Sequence, residues 1–326
     1  MERRDFLRRL GRTGLAAATL TALALWRHDR RSAAEYTRDA AAADALDLPS
    51  YAVERPGGSV CLALARGRDP EQLVTAALGA LGGLQAFVRP GDVVLLKPNA
   101  AFDRAAALGA TTRPEVLGAV ARQCRLAGAR RVLVTDNPIN HPAGCFAKSG
   151  LQQAVADAGA ELVLPTAGAF VPVRIGGQAL QTWPLLHGPL AAANRVIGVA
   201  PCKDHNLCGA SLTMKNWYGL LGGRRNQFHQ QIHTVIADFA AMIRPTLVIL
   251  DATRVLQRNG PTGGSLADVA AGETLVAGTD MVAVDTVGCE LLGRSLDRVA
   301  YLRQAEARGL GTTQWRQLAW REVQVG

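Results

Sequence analysis

The sequence predicts an α/β fold: a mostly parallel sheet with helices on both faces, Rossmann-like, carrying a small β insertion. Two observations predict it. Short aliphatic runs, such as VVLLK at 93–97 and RVLVT at 131–135, alternate with longer segments of apolar spacing near 3.6 residues. The short runs are apolar on consecutive residues, as in strands covered on both faces.

Each element follows in order. Residues 35–58 are rich in Ala and Asp and then in Pro and Gly, which suits a linker before a single domain over 59–326. A strand is expected at 60–64 and a helix over 70–87. A buried strand at 93–96 ends in Lys97-Pro98-Asn99. The segment Thr111-Thr112-Arg113-Pro114-Glu115 opens a helix that runs to Gly128, with Thr112 suited to the N-cap and Pro114 to the first turn. A strand at 131–135 ends at Asp136, followed by a helix over 145–159 and a strand at 162–164. The stretch 170–186 reads as the β insertion. A strand at 196–200 then enters the densest polar segment of the chain. A helix over 232–243, a strand at 247–250 ending at Asp251 and a helix over 281–292 complete the pattern. There is no internal repeat, and low complexity is confined to the Ala-rich stretch at 40–45.

The N-terminus carries an address. Arg3-Arg4-Asp5-Phe6-Leu7 precedes an uncharged apolar stretch over 15–26, the pattern of a twin-arginine export leader over residues 1–34. That stretch is well short of the ~20 residues that span a bilayer as a helix. The expected location is periplasmic or otherwise exported, with the twin-arginine translocase as partner. Residues 1–34 hold a net charge of +5 of the chain's +9, so the remainder carries only about +4. Such a balance gives no electrostatic footprint for nucleic acid.

Six cysteines stand at 61, 124, 145, 202, 208 and 289. No C-x-x-C pair is present, which disfavours a ferredoxin-type cluster or a zinc ribbon. Cys202 and Cys208 are the nearest candidates for a disulfide, while Cys124 in VARQCRLAG reads as a buried free thiol.

In a sheet of this kind ligands bind beyond the carboxyl ends of the strands. Four such ends are polar here: Lys97-Pro98-Asn99, Asp136-Asn137-Pro138, Cys202-Lys203-Asp204-His205 and Asp251-Ala252-Thr253. Lysine usage sharpens the point. The chain has 32 Arg but only four Lys, at 97, 148, 203 and 215. Three of the four fall at strand ends or in Thr213-Met214-Lys215-Asn216, where a compact amine of tunable pKa differs in kind from a guanidinium; Lys148 reads as a surface residue. The segment from Cys202 to His233 adds His205, Thr213, Asn216, Arg224, Arg225, His229 and His233, with Gly219, Gly222 and Gly223 allowing close backbone approach. His229 and His233 are four apart, a spacing for joint metal ligation on a helix face, although no H-E-x-x-H signature is present. An anion-binding or structural role for the pair is the other reading.

Asn259-Gly260-Pro261-Thr262-Gly263-Gly264 is either an anion-holding nest or a tight turn; it matches no P-loop or dinucleotide fingerprint. Asp280 suits a helix N-cap, and Asp285 needs a partner if its helix is buried.

VVLLKPN, TTRPEV, the Lys203/His205 pair, TMKNWYGLLGG, NGPTGG and DMVAVD resemble, in order and spacing, the family catalogued as domain of unknown function 362. The resemblance covers nearly the whole chain after the leader. It implies little chemistry. Some members carry ferredoxin-type cysteines, which this chain lacks, so no integral iron–sulfur cluster is expected. The family is distantly similar to nickel-pincer lactate racemases, which place Lys and His around a metal cofactor.

Three readings compete. One is an exported enzyme whose Lys97, Lys203, His205 and Lys215 act on a small anion, with Asn99, Thr112, Arg113, Asn216, Arg224, Asn259, Gly260, Gly263 and Gly264 binding it. In that reading His205 serves as acid/base and Asp136 or Asp251, or the His229/His233 pair, holds a metal ion. The second is a non-catalytic periplasmic protein that holds an anion or metal for a partner, a redox partner included. The third is a racemase-like enzyme with an organometallic cofactor on Lys215 or Lys203.

Overall fold

A computed structural model describes residues 45–326. The twin-arginine leader and the first part of the expected linker lie outside the described residues. Along the rest of that linker most residues are exposed, but Leu46 bridges to Val173, and Tyr51 is buried with its hydroxyl donating to Leu190 O at 3.1 Å.

β1 (Leu62–Arg66) leads into α1 (Pro70–Ala80), which starts where the Asp69 carboxylate accepts from Gln72 N at 2.8 Å. The helix stops well short of residue 87, because Gly82 and Gly83 adopt φ of 97° and 84°. β2 (Val93–Lys97), α2 (Pro114–Leu126) and β3 (Arg131–Val134) fall close to their expected places. Thr112 is not the N-cap of α2. Arg113 takes that position, and Thr112 is buried, its hydroxyl accepting from Asn99 N and donating to Val199 O. The single helix expected over 145–159 is two, α3 (Pro142–Lys148) and α4 (Leu151–Asp157), divided at Gly150 with φ 78°.

After β4 (Glu161–Leu162), the insertion is an antiparallel hairpin of β5 (Phe170–Arg174) and β6 (Thr182–Leu186), separate from the main sheet. α5 (His187–Ala192) returns to β7 (Arg195–His205), which runs well past the expected end at 200. β8 (Gly209–Ser211) and the short α6 (Thr213–Asn216) precede α7 (Ile232–Met242) and β9 (Leu247–Leu256). β10 (Val269–Gly278), α8 (Met281–Leu291), α9 (Tyr301–Ala307) and β11 (Trp320–Gln324) close the chain.

The main sheet runs β11-β1-β10-β9-β7-β2-β3-β4, with β8 paired to β7. From β9 to β4 neighbours are parallel, whereas β10 is antiparallel to both β9 and β1. Both faces are covered. Val94, Leu96, Val132, Val134, Ile197 and Val199 pack with Leu73, Leu117 and Val120 of α1 and α2. On the opposite face Gly198 lies under Trp217, where a Cβ would come within 2.9 Å of the indole, and Leu250 packs against Gly288 of α8.

The chain steps outward from β2 through β3 to β4, then returns to β7 and β9 on the other side of β2. The strand order therefore reverses between β2 and β7. In open α/β sheets such a reversal leaves a crevice beyond the strands' carboxyl ends.

Candidate functional site

Both strands at the reversal end in lysine-bearing segments. They line a cavity of about 250 Å³ together with Asn99, Phe102, Asp136, His205, Lys215, Asn216, Tyr218, Arg225 and His229, among others.

A continuous polar chain runs across its floor. Lys97 Nζ lies 2.6 Å from Asp136 Oδ1 and donates to Pro98 O at 2.7 Å and Asn216 Oδ1 at 3.2 Å. Asn99 Nδ2 donates to the same Asn216 oxygen at 3.2 Å, and Asn99 Oδ1 accepts from Lys203 Nζ at 3.2 Å. Lys203 also donates to Ala110 O. Asp136, Lys97, Asn216, Asn99 and Lys203 thus fix one another, although they come from four separate segments. Close backbone approach is part of this. At Gly219 a Cβ would stand 1.9 Å from Asp136 Oδ1, so only glycine fits against the ion pair.

Lys215 is held differently. Its short helix α6 begins where the Asp285 carboxylate accepts from Thr213 N at 2.8 Å, Thr213 Oγ1 at 2.5 Å and Met214 N at 3.0 Å. That is the partner that Asp285 requires in a buried helix. The Lys215 ammonium sits 4.9 Å from the centre of the Tyr218 ring. Among the described residues it has no hydrogen-bond or ion-pair partner.

Burial lowers the pKa of Lys97, opposed by Asp136, and lowers that of Lys215. Burial, with Lys215 next in effect, brings Lys203 down to about 7. His205 falls to about 2, through burial and then through Lys215 and Lys203. Its Nδ1 accepts from Leu207 N at 3.2 Å, so the neutral ring carries its proton on Nε2. A neutral imidazole of that kind is a hydrogen-bond donor, whereas Lys203 is the lysine of the site brought close to neutrality.

Arg225, not Arg224, is the guanidinium of the site. Arg224 is exposed, whereas Arg225 is buried and donates to the carbonyls of Asn137, Pro138, Tyr218 and Leu221. Those bonds tie the Asp136 loop to the turn after α6. Asn137 and Tyr218, which the sequence offered only as parts of longer motifs, also line the cavity, as do Phe102 and Leu207, which as ordinary loop residues carried no sequence signal.

Other expected residues lie elsewhere. Arg113 donates to Glu115 and Thr253 and is outside the cavity. Thr112 supports Asn99 from behind. Gly260 N donates to Asp204 Oδ2 at 3.1 Å, so the anion at this loop is the chain's own carboxylate, itself paired with Arg294 at 3.0 Å. Asn259, with φ 57°, donates to Asp268, while Gly263 turns at φ 58° against Leu108 O, and Gly264 is clear of the cavity. The loop is a turn, and only Pro261 reaches the cavity wall.

The metal set does not converge. His229 lies in a 3-10 segment over Arg225–Gln231 that ends where α7 begins, so it and His233 do not share an α-helical face. His229 borders the cavity, whereas His233 stacks on Tyr301 with ring centres 6.1 Å apart. Asp251 is buried against Thr253, and Asp136 is committed to Lys97. No group of three or more His, Cys, Asp or Glu suited to a metal ion occurs among the described residues. All six cysteines are free, so Cys202 and Cys208 form no disulfide.

A curated relative, the thylakoid-associated protein sll1697 of Synechocystis sp. (strain ATCC 27184 / PCC 6803 / Kazusa), is 28% identical over 251 residues, covering 72% of this chain and 74% of that one. Among solved structures, the lactate racemase apoprotein of Thermoanaerobacterium thermosaccharolyticum aligns at a TM-score of 0.38 and 13% identity, over 75% of this chain and 61% of its own. No helix among the described residues is long and apolar enough to cross a membrane. The family described as a domain of unknown function, DUF362, matches residues 94–290, and the chain belongs to it.

Proposed function

We propose that the cavity binds a small organic anion and carries out acid–base chemistry on it. One observation carries this reading: Lys97, Lys203, Lys215 and Arg225 face a single carboxylate, and the Lys215 ammonium has no partner of its own. Lys97 is neutralised by Asp136, and Arg225 is committed to backbone carbonyls. A half-buried cation without a counter-charge carries part of the cost of desolvation, and a bound oxyanion removes it. The same excess of positive charge opposes a metal ion held by side chains alone, and no step here depends on one.

In this reading Lys215 and the His205 Nε2–H bind the oxyanion. Lys203 gives or takes the proton, because a group that titrates near neutrality suits both directions. The amine must be an amine: a guanidinium stays protonated throughout. A non-catalytic carrier would need only the charge. For the export address, Arg3-Arg4 remains the motif to test.

The full chain should catalyse exchange of the α-hydrogens of an organic acid with D2O, followed by proton NMR across a panel of small carboxylates. Lys203→Arg should abolish exchange while anion binding persists, and Lys215→Met should weaken binding at least tenfold relative to the exposed control Lys148→Met. Binding without exchange for every acid in the panel would reduce the protein to a carrier. Binding unaffected by Lys215→Met would end the reading.

Proton uptake is a second expected outcome. A bound anion stabilises the Lys203 ammonium and raises its pKa from about 7. At pH 7 roughly half a proton should enter per anion bound, and affinity should fall as pH rises above 7. Calorimetric heats in buffers of different ionisation enthalpy measure this, and identical heats in all of them would exclude it.

A further inference from the structure

The cavity is chemically two-sided, and its two sides differ in depth. At the floor stand Lys97, Asn99, Lys203 and Asn216, with relative exposures of 0%, 8%, 1% and 2%. At the mouth stand Ile139 and Leu207, exposed at 61% and 52%. Among the described residues four large apolar side chains are more than half exposed, Leu126, Ile139, Leu207 and Leu266, and two of them border this one cavity. Between floor and mouth the wall carries Phe102 and Pro261, with Lys203 Nζ 5.2 Å from the centre of the Phe102 ring. Scattered exposed aliphatics require no explanation; two on the rim of a cation-floored cavity give it a polarity.

We propose that the ligand is an amphiphilic monocarboxylate, its carboxylate held by Lys215 and the His205 Nε2–H beside the lysine floor and its alkyl or aryl body lying along Phe102 and Pro261 to the Ile139–Leu207 mouth. The proposal rests on the anion-binding reading above and adds the class of acid. The site accounts for one carboxylate, on Lys215, since Lys97 already has Asp136 and Lys203 is only half charged near neutrality. A second carboxylate on the same ligand would lie against Phe102, Leu207 and Ile139, whose side chains offer it neither charge nor hydrogen bond. The apolar wall instead rewards each methylene removed from water.

The test is a chain-length series, acetate through octanoate, titrated calorimetrically into the full-length protein, with succinate and inorganic phosphate alongside. Affinity should rise about fourfold per methylene until the chain outgrows the mouth, and succinate should bind more weakly than butyrate. Leu207→Ser and Ile139→Ser, both at exposed positions that the fold tolerates, should flatten the gradient, whereas Leu207→Met should keep it. The gradient is the readout. A flat series, or succinate and phosphate binding more tightly than the longer acids, would overturn the proposal while leaving the anion-binding reading intact. A flat series combined with Leu207-dependent binding to phosphatidylcholine vesicles would reassign the mouth to a bilayer surface and also overturn it. No binding by any of these anions would sink both.

Discussion

Asp136→Ala should destabilise the protein by about 3–5 kcal/mol at pH 7, the usual cost of leaving half of a buried ion pair behind. Asp136 and Lys97 are each about 1% exposed at the side chain and lie 2.6 Å apart. The other carboxylate oxygen accepts from Ala100 N at 2.7 Å, so the substitution also frees a buried backbone donor. Lys97 has one escape, which is to lose its proton. Burial already lowers its pKa, and Asp136 is what opposes that. In the variant the unfolded state would therefore bind the extra proton up to the ordinary lysine value of 10.5. Stability rises with pH wherever the unfolded state binds more protons. The deficit should accordingly shrink between pH 7 and pH 10, as read by urea denaturation at the two pH values. The paired replacement Lys97→Met with Asp136→Leu should recover much of the loss. A deficit below about 1 kcal/mol at pH 7, or one that grows toward pH 10, would show that the pair does not anchor the floor.

The sheet was legible because its strands are buried on both faces and so read as unbroken aliphatic runs. Val93–Lys97 and Arg131–Val134 came out within a residue of their places. β10 was not legible: its first half, VAAGE, is largely exposed and turns at a bulge, so it shows neither an apolar run nor a clean alternation. The order of strands was equally hidden. Nothing local in β2 or β7 reveals that they are neighbours, and that adjacency is what brings Lys97 to Lys203. Scarcity of lysine supplied the signal that propensity could not. An Arg-rich chain that keeps Lys at 97, 203 and 215 marked three residues of one cavity from three distant segments. The glycine loop at 259–264 misled for the opposite reason. A nest and a tight turn share the same glycine spacing, and only the position of Asp204 shows which of them is present. Arg224 and Arg225 are also equivalent on paper; the turn decides which one points inward.

Asp285→Ala should cost roughly 3 kcal/mol, since it strands two backbone donors and a hydroxyl in the interior. It should also weaken anion binding, although Asp285 is not among the residues lining the cavity. The link is α6: Asp285 fixes Thr213 and Met214, and the next two residues are Lys215 and Asn216. Loss of the clamp lets both shift relative to Lys97 and Asn99. Asp285→Asn separates the two effects. Its amide oxygen can still accept from Thr213, but its NH2 then faces the Met214 N–H, so stability should return in part and affinity less. The pH profile adds a signature that mere packing would not give. Burial raises the Asp285 carboxyl from 3.8 to about 7, so the folded state keeps this proton longer than the unfolded one. Its contribution is complete below about 4 and is lost as pH climbs through 7. Asp285→Asn should remove that decline from the stability profile between pH 4 and 7. Wild-type stability, an unchanged pH profile and undiminished anion affinity in Asp285→Asn would together show that the carboxylate neither anchors α6 nor positions Lys215.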